Sequence, residues 1–109
     1  MSRDDGALRP GSPTTYRDRY YDLLLGRVAA SASTGGPLVG TNVWTWAGRG
    51  RAAHPDARWR AGDRSYTGDP PQELQGLNSI FDCDASTLSV LDNHAATLDR
   101  VATPARPAR

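Results

Sequence analysis

The chain contains one cysteine and no lysine, and both facts restrict the kinds of site it can build. Cys83 has no second cysteine for an internal disulfide, and no suitably spaced histidine accompanies it as in a zinc site. All 13 basic side chains are arginines, and they are scattered among aspartates rather than gathered into the basic stripe of a nucleic-acid surface. We therefore expect no metal centre and no nucleic-acid partner.

Long apolar runs are also missing. No stretch of 18 uninterrupted apolar residues is present for a membrane span, and the opening MSRDDGALRPGSP has no apolar core of the kind found in signal peptides. With 109 residues, 38% of them hydrophobic, and a net charge of +1, the composition is typical of one globular unit or part of one. We expect a soluble chain without a membrane partner or a signal peptide.

The segment SPTTYRDRYYDLLLGRV has the pattern of an amphipathic helix. Ser12 is a suitable N-cap, and Pro13 suits the first helical position, where its missing N–H costs nothing. The small-residue run ASASTGGP ends the pattern. The spacing of four residues predicts one buried stripe, made of Tyr16, Tyr20, Leu24 and Val28.

A second helix is predicted near the C-terminus, with Asp84 or Ser86 as its cap. Residues 104–109 are predicted to be a disordered tail. Spacings of three and four residues predict the buried side of this helix, made of Leu88, Leu91, Ala95, Leu98 and Ala102.

Between the helices, LVGTNVWTWAGRGR at residues 38–51 has the pattern of a strand, and residues 47–79 beyond it are predicted to be a long loop. Side chains alternate between the two faces of a strand. A single strand cannot satisfy its own backbone N–H and C=O groups, so its pairing partners must lie elsewhere. One face is β-branched and suits packing against helices, and it consists of Val39, Thr41, Val43 and Thr45. The other face suits a polar site with aromatic walls, and it consists of Gly40, Asn42, Trp44 and Trp46.

Together, PLVGTNVWTWAGRGR and GDPPQELQGLNSIFDCDASTLSVL resemble the C-terminal end of the endo-β-1,4-mannanases of glycoside hydrolase family 5. Those enzymes carry G-x-N-F-W-x-W-x-G in their eighth strand, followed by a loop ending in GDPPQEPQGLNSVFD. Here Val43 replaces the usual Phe and Leu74 the usual Pro. The upstream SRDDG and TTYRDRYY are similar to the family segment that follows the seventh strand and opens the seventh helix.

The resemblance implies an α/β fold that is the C-terminal portion of a (β/α)8 TIM barrel: helix 7, strand 8, a long βα loop and helix 8, within residues 1–103. It also implies that Trp44 forms the floor of the sugar subsite beside the scissile bond. An indole is a flat apolar plate that matches the C–H face of a pyranose. The expected substrate is β-mannan or a manno-oligosaccharide, with no cofactor.

Other candidate site residues have two readings each. Trp46 either adds to the sugar platform or anchors the long loop, and Asn42 either orients a catalytic carboxylate or satisfies a neighbouring strand. His54 and His94 show no evident Ser, Cys or Asp partner, and we expect them at the surface. Several loop residues could contact sugar hydroxyls or a second ring, although scaffolding of the loop is the favoured reading: Arg49, Arg51, Trp59, Asp63 and Asp69.

The carboxylates for catalysis are not apparent. Retaining glycosidases need two carboxyl groups about 5 to 5.5 Å apart, and in the family both are glutamates, after the fourth and seventh strands. The single glutamate, Glu73, lies in PPQELQG and matches neither. We therefore expect a fragment that is inactive alone, whose partner is the missing N-terminal part of the barrel and whose parent enzyme is secreted.

Three alternatives remain open. The chain could be a non-catalytic carbohydrate-binding or barrel-complementing module. It could be part of a family 5 β-glucanase or cellulase. It could also be an unrelated α/β domain, in which the strand would have to pair with a segment such as residues 79–81.

Overall fold

The computed structural model describes residues 8–103, which form two helices and a small parallel sheet. The elements are α1 (Thr15–Ser33), β1 (Trp46–Gly48), β2 (Ile80–Phe81) and α2 (Ala85–Ala102). The predicted order of helix, strand, long loop and helix is confirmed, and the chain is α/β. The tail predicted at residues 104–109 lies outside the described part of the chain.

Helix α1 begins later than its sequence predicts. Thr14 occupies the N-cap position, and Ser12 instead donates its hydroxyl to the carbonyl of Arg9 at 2.7 Å. The prediction of Ser12 as the cap is therefore wrong. The Thr14 hydroxyl donates to the Asp18 carboxylate one turn along the same helix at 3.1 Å, and Ser86 on α2 donates to that carboxylate at 2.6 Å.

The buried stripe of α1 differs from the predicted one. Tyr16, Tyr20 and Leu24 are exposed, and only Val28 is buried as predicted. The observed stripe is shifted by one residue over its first three positions, because Arg17 is buried. A charged side chain can be buried when its guanidinium has hydrogen-bonding partners, and the sequence pattern of the helix does not show those partners. The buried residues are Arg17, Tyr21, Leu25 and Val28.

Helix α2 starts at Ala85 with Asp84 in the N-cap position, as predicted. The Asp84 carboxylate does not cap the helix with its side chain, and instead accepts the backbone N–H of Phe81 at 2.8 Å and the guanidinium of Arg17 at 3.4 Å. The predicted buried side is partly right. Leu88 and Leu91 pack on the core formed by Tyr21, Leu25 and Ile80, and Leu98 is half-buried, whereas Ala95 and Ala102 are exposed.

The predicted strand is much shorter in the structure. Only Trp46–Gly48 is extended and paired, and residues 38–45 have no regular structure, with Leu38 and Val39 exposed. A strand forms where a neighbour accepts its backbone hydrogen bonds, and in the described residues β2 alone pairs with it. β2 runs parallel to β1, with Trp46 opposite Ile80 and Gly48 opposite Phe81.

The pairing partner, Ile80–Phe81, lies directly after the predicted loop of residues 47–79, and the sequence pattern did not predict it as a strand. The hydrogen bonds join Thr45 N–H to the Asn78 carbonyl at 3.1 Å, Ile80 N–H to the Thr45 carbonyl at 2.8 Å, and Asp82 N–H to the Gly48 carbonyl at 2.9 Å. This is the pairing that an unrelated α/β domain would require, but it reaches only the end of the predicted strand. The rest of residues 47–79 forms a long loop, as predicted, apart from β1 itself and one isolated bridge.

In the described range, no helix has the length and apolarity needed to cross a bilayer.

Candidate functional site

The indoles of Trp44 and Trp46 both lie at the surface. Their exposed fractions are 60% and 58%, which is high for the residue type with the largest apolar surface. Trp44 lies before β1, which begins at Trp46, so the two tryptophans do not belong to one continuous strand as predicted. Neither ring is sealed in the core, so both are accessible to a ligand.

Trp44 and Asn42 line the same groove beside α1. The groove has a volume of about 200 Å³, and Tyr20, Tyr21 and Leu24 form much of its other wall. The hydroxyl of Tyr21 donates to the carbonyl of Trp44 at 3.3 Å, and burial raises the pKa of that phenol. The helix therefore holds the backbone of Trp44 while its ring remains exposed.

Trp46 occupies a different position, on the sheet itself. Its indole lies over Gly48, where an added Cβ would be 3.2 Å from the indole nitrogen. Gly48 also has a positive φ of 56°, which favours glycine. This close approach lets the ring lie along the backbone of its own strand.

The two arginines of the candidate site behave differently. The Arg49 side chain is 96% exposed and its Nε lies 3.9 Å from the Asp82 carboxylate. Arg51 donates to the Gly48 and Gly50 carbonyls at 2.8 Å and to Asp82 at 2.6 Å, and it stacks over the Phe81 ring at 4.7 Å. Its hydrogen bond lowers the pKa of Asp82. Arg51 therefore holds the loop to the sheet, whereas Arg49 extends into solvent.

Trp59 lies half-buried on the long loop, beside the antiparallel bridge between Arg58 and Leu74. It is not among the residues that line the groove of Trp44 and Asn42. In the described part of the chain, the structure thus brings Trp44 and Asn42 together and places Trp59 elsewhere on the loop.

The aspartates of the loop are scaffolding residues, as the favoured reading predicts. Asp63 accepts a backbone N–H from Arg60 at 2.8 Å and faces His54 at 2.9 Å, and these hydrogen bonds lower its pKa. Asp69 is fully buried and holds several neighbouring groups of the loop. Both carboxylates are used within the loop itself.

Both histidines have aspartate partners, so the prediction that they lack one is wrong. Besides the pair of His54 with Asp63, His94 on α2 lies 2.9 Å from Asp22 on α1. The partners are distant in the sequence or lie in an irregular loop, so no spacing rule could have indicated them. Each histidine has a structural role in joining two segments.

The sequence GDPPQELQGLNS builds a compact hydrogen-bonded loop. The Gln75 amide donates to the Asp69 carbonyl at 2.9 Å, and its oxygen accepts the Thr67 backbone N–H at 3.2 Å. Glu73 is half-buried and accepts a hydrogen bond from the Asn78 amide at 3.2 Å. Gln75 was not among the sequence candidates, and its place in the quoted motif was the signal that could have identified it.

Comparison with known proteins decides the family. The model of the "GH family 5 beta-mannosidase-like" family matches residues 1–103. The chain belongs to glycoside hydrolase family 5. No curated protein matches it.

Two solved structures of this family are similar to the chain. The glycoside hydrolase family 5 mannosidase from Rhizomucor miehei superposes with a TM-score of 0.75 at 26% identity. A mutant of the same mannosidase gives 0.76 at 27%. In both cases the match covers 93% of this chain but 25% of the other, so the chain spans a quarter of the length of these structures. Family 5 structures are TIM barrels, and the two helices and small sheet are consistent with part of such a barrel.

Proposed function

We propose that this chain is the C-terminal part of a retaining endo-β-1,4-mannanase that hydrolyses internal β-1,4-mannosidic bonds. In this proposal α1 is helix 7 of the barrel, residues 39–46 become strand 8 when strands 7 and 1 flank them, and α2 is helix 8. The exposed indole of Trp44 beside the groove of Asn42 is the observation that carries the proposal. Membership of family 5 supports it.

The physics of the indole fits a sugar platform. A tryptophan side chain presents about 200 Å² of surface, and burying one face of it at about 25 cal/mol per Å² stabilises a bound sugar by about 2–3 kcal/mol before ordering costs. A β-linked pyranose presents C–H groups on its flat faces, which suit the negative face of the ring. Trp46 and the solvated guanidinium of Arg49 are also exposed, and this proposal assigns them to the same sugar-binding surface.

The chain supplies binding rather than bond cleavage in this proposal. A retaining mechanism needs an acid/base carboxyl and a nucleophile on either side of the scissile bond. Glu73 is engaged with Asn78 on the loop, and both catalytic glutamates belong to the remainder of the barrel. The complete enzyme would be exported to reach its polysaccharide, and it would need neither metal nor cofactor.

A second candidate function is a barrel-complementing module that docks on a separately encoded remainder. The apolar surface of α1 favours it, because Tyr16 and Leu23 are both 63% exposed, and Leu38 and Val39 are exposed on the following segment. Isolated apolar residues are normal at surfaces, but a contiguous apolar face marks an interaction site. The same face would be internal in a single-chain barrel.

Binding of mannohexaose to the chain tests the platform. We expect Trp44→Ala to weaken binding about 30- to 100-fold, which corresponds to the loss of 2–3 kcal/mol, as measured by isothermal titration calorimetry. Leu23→Ala is the matched control, because it removes an equally exposed apolar side chain that does not line the groove. Equal affinities of Trp44→Ala and the parent chain would contradict the proposal.

Two further measurements separate the alternatives. Cellohexaose bound as tightly as mannohexaose would favour a β-glucanase parent. Turnover of galactomannan by the chain alone would show that it contains catalytic groups that the proposal assigns to the rest of the barrel. Activity that appears only on mixing with a separately expressed N-terminal barrel part would favour the complementing module.

A further inference from the structure

The buried carboxylate of Asp69 joins two arms of the long loop. Its Oδ2 accepts the backbone N–H of Gly76 at 2.7 Å, and its Oδ1 accepts that of Asn78 at 2.9 Å. The hydroxyl of Ser79 also donates to it, and the hydroxyl of Thr67 lies 3.0 Å away. One carboxylate thus fixes the arm at residues 67–69 against the arm at residues 76–79.

The second arm is hydrogen-bonded to the tryptophan segment. The N–H of Asn78 binds Asp69, and the carbonyl of Asn78 accepts the N–H of Thr45, the residue between Trp44 and Trp46. The Thr45 carbonyl in turn accepts the N–H of Ile80. Both backbone groups of Thr45 therefore depend on the position of the segment that Asp69 holds.

The arm at residues 67–69 also contacts Thr45, through Gly68. Gly68, next to Asp69, has a φ of 94°, and an added Cβ there would lie 2.9 Å from the Thr45 hydroxyl and 3.5 Å from the Trp46 carbonyl. Only glycine allows this approach. Both arms thus contact Thr45, and the carboxylate that joins them is fully buried.

This arrangement is also anchored to the first helix. The guanidinium of Arg17 donates to the carbonyl of Ser79 at 2.6 Å. The arm at residues 76–79 is therefore held by two side chains, by Asp69 through Gly76, Asn78 and Ser79, and by Arg17 of α1 through the Ser79 carbonyl.

We propose that Asp69 is a positioning residue for the sugar platform: through Asn78, Ser79 and Gly68 it sets the orientation of Trp44 and Trp46 without touching the sugar. The inference rests on the proposed function for its sugar partner, but the orientation of the indoles can be measured without any sugar. The residue is needed as a carboxylate because both of its oxygens face backbone N–H groups. An amide would place its NH₂ against one of those N–H groups.

The test uses the full 109-residue chain with Trp59→Phe, so that Trp44 and Trp46 are the remaining tryptophans. Asp69→Asn is expected to change the near-ultraviolet circular dichroism and to increase acrylamide quenching of the indole fluorescence, with the far-ultraviolet spectrum unchanged. Mannohexaose affinity is expected to fall about tenfold. Asp92→Asn, on the exposed face of α2, is the matched control and should leave all three readouts unchanged.

A second variant covers the case in which Asp69→Asn does not fold. Gly68→Ala leaves the Asp69 carboxylate intact but pushes on Thr45, so the same change in the tryptophan spectra is expected. Unchanged tryptophan spectra in folded Asp69→Asn, or in Gly68→Ala if the first variant is unfolded, would overturn the proposal.

The sugar readout separates the two proposals. If the parent chain binds no mannohexaose but the variants still alter the tryptophan spectra, the proposed function fails and the positioning role stands. A different result would be that the parent chain and folded Asp69→Asn bind mannohexaose equally well although the tryptophan spectra differ. The sugar would then not depend on the indole orientation that Asp69 sets, and the positioning role for the platform would fail.

Discussion

The guanidinium of Arg17, on the first helix, donates a 2.6 Å hydrogen bond to the carbonyl of Ser79, directly before β2. The same guanidinium lies 3.4 Å from the Asp84 carboxylate at the start of α2, and both side chains are almost completely buried. One arginine therefore joins the first helix, the sheet and the second helix. Through Arg17, α1 holds the residues directly before β2, the strand that pairs with β1.

Replacing Arg17 by methionine tests this junction. Arg17→Met keeps most of the side-chain volume but removes the guanidinium that lies 3.4 Å from the buried Asp84 carboxylate. We expect the free energy of unfolding to fall by about 3 kcal/mol, because removing one partner of a buried pair exposes the other to an uncompensated desolvation cost. Urea denaturation followed by circular dichroism measures the change.

The matched control is Arg19→Met on the exposed side of the same helix, which should change stability by less than about 0.5 kcal/mol. Equal effects of the two substitutions would show that the buried pair does not hold the helices to the sheet.

A pair of glycine substitutions tests the close approach of the loop to the strand end. A Cβ at Gly50 would lie 2.1 Å from the Tyr66 carbonyl oxygen and 3.1 Å from that of Ala47, and neither backbone atom can move cheaply. We expect Gly50→Ala to destabilise the chain by about 1–3 kcal/mol, the usual cost of overpacking. Thermal denaturation gives the difference.

Gly40→Ala is the control, because nothing lies within 4 Å of its added Cβ. Its stability should equal that of the parent or exceed it by up to about 1 kcal/mol, since alanine restricts the unfolded chain more than glycine does. Equal thermal stabilities of Gly50→Ala and Gly40→Ala would show that residues 47–50 do not pack closely on Tyr66.

The ion pair of Arg51 with Asp82 predicts a pH dependence of stability. The hydrogen bond from Arg51 lowers the pKa of Asp82 in the folded chain. The pair therefore stabilises the fold above the pKa of the unfolded chain, which is about 4, and this contribution is lost as the pH falls through the lowered folded pKa. Asp82→Asn should lower the urea midpoint at pH 7, and the two curves should converge below about pH 4.

The control for the pH experiment is Asp92→Asn, which is exposed on α2 and should leave the urea midpoint unchanged at both pH values. The interpretation would be contradicted by a difference between Asp82→Asn and the parent that stays constant from pH 7 to pH 3.

The helix α1 shows how far sequence patterns can determine packing. The helix itself follows from its spacing, yet the side that is buried was predicted one residue off, since Tyr16 and Tyr20 have more apolar character than Arg17. Burial of Arg17 depends on the Ser79 carbonyl and the Asp84 carboxylate, more than 60 residues away. A periodicity within the helix carries no information about such distant partners.

The sequence indicated Trp44 as a candidate sugar platform through the resemblance to family 5, because spacing alone did not separate that role from core packing, and it left both readings of Trp46 open. Their exposure, and the groove that Trp44 shares with Asn42, required the structure. Asp69 was recognisable as a candidate, but its role as a buried acceptor for groups at residues 76–79 became visible only when the loop was folded.

The sequence by itself determined the two helices, the long loop between them and the resemblance to family 5, because periodicity, caps and motifs are local properties of a chain. Only the tertiary structure decided the length of the strand, the buried face of α1 and the partners of Arg17 and Asp69. The physical reason is that backbone pairing and the burial of charge depend on groups that lie far away in the sequence, and only folding brings these groups to hydrogen-bonding distance.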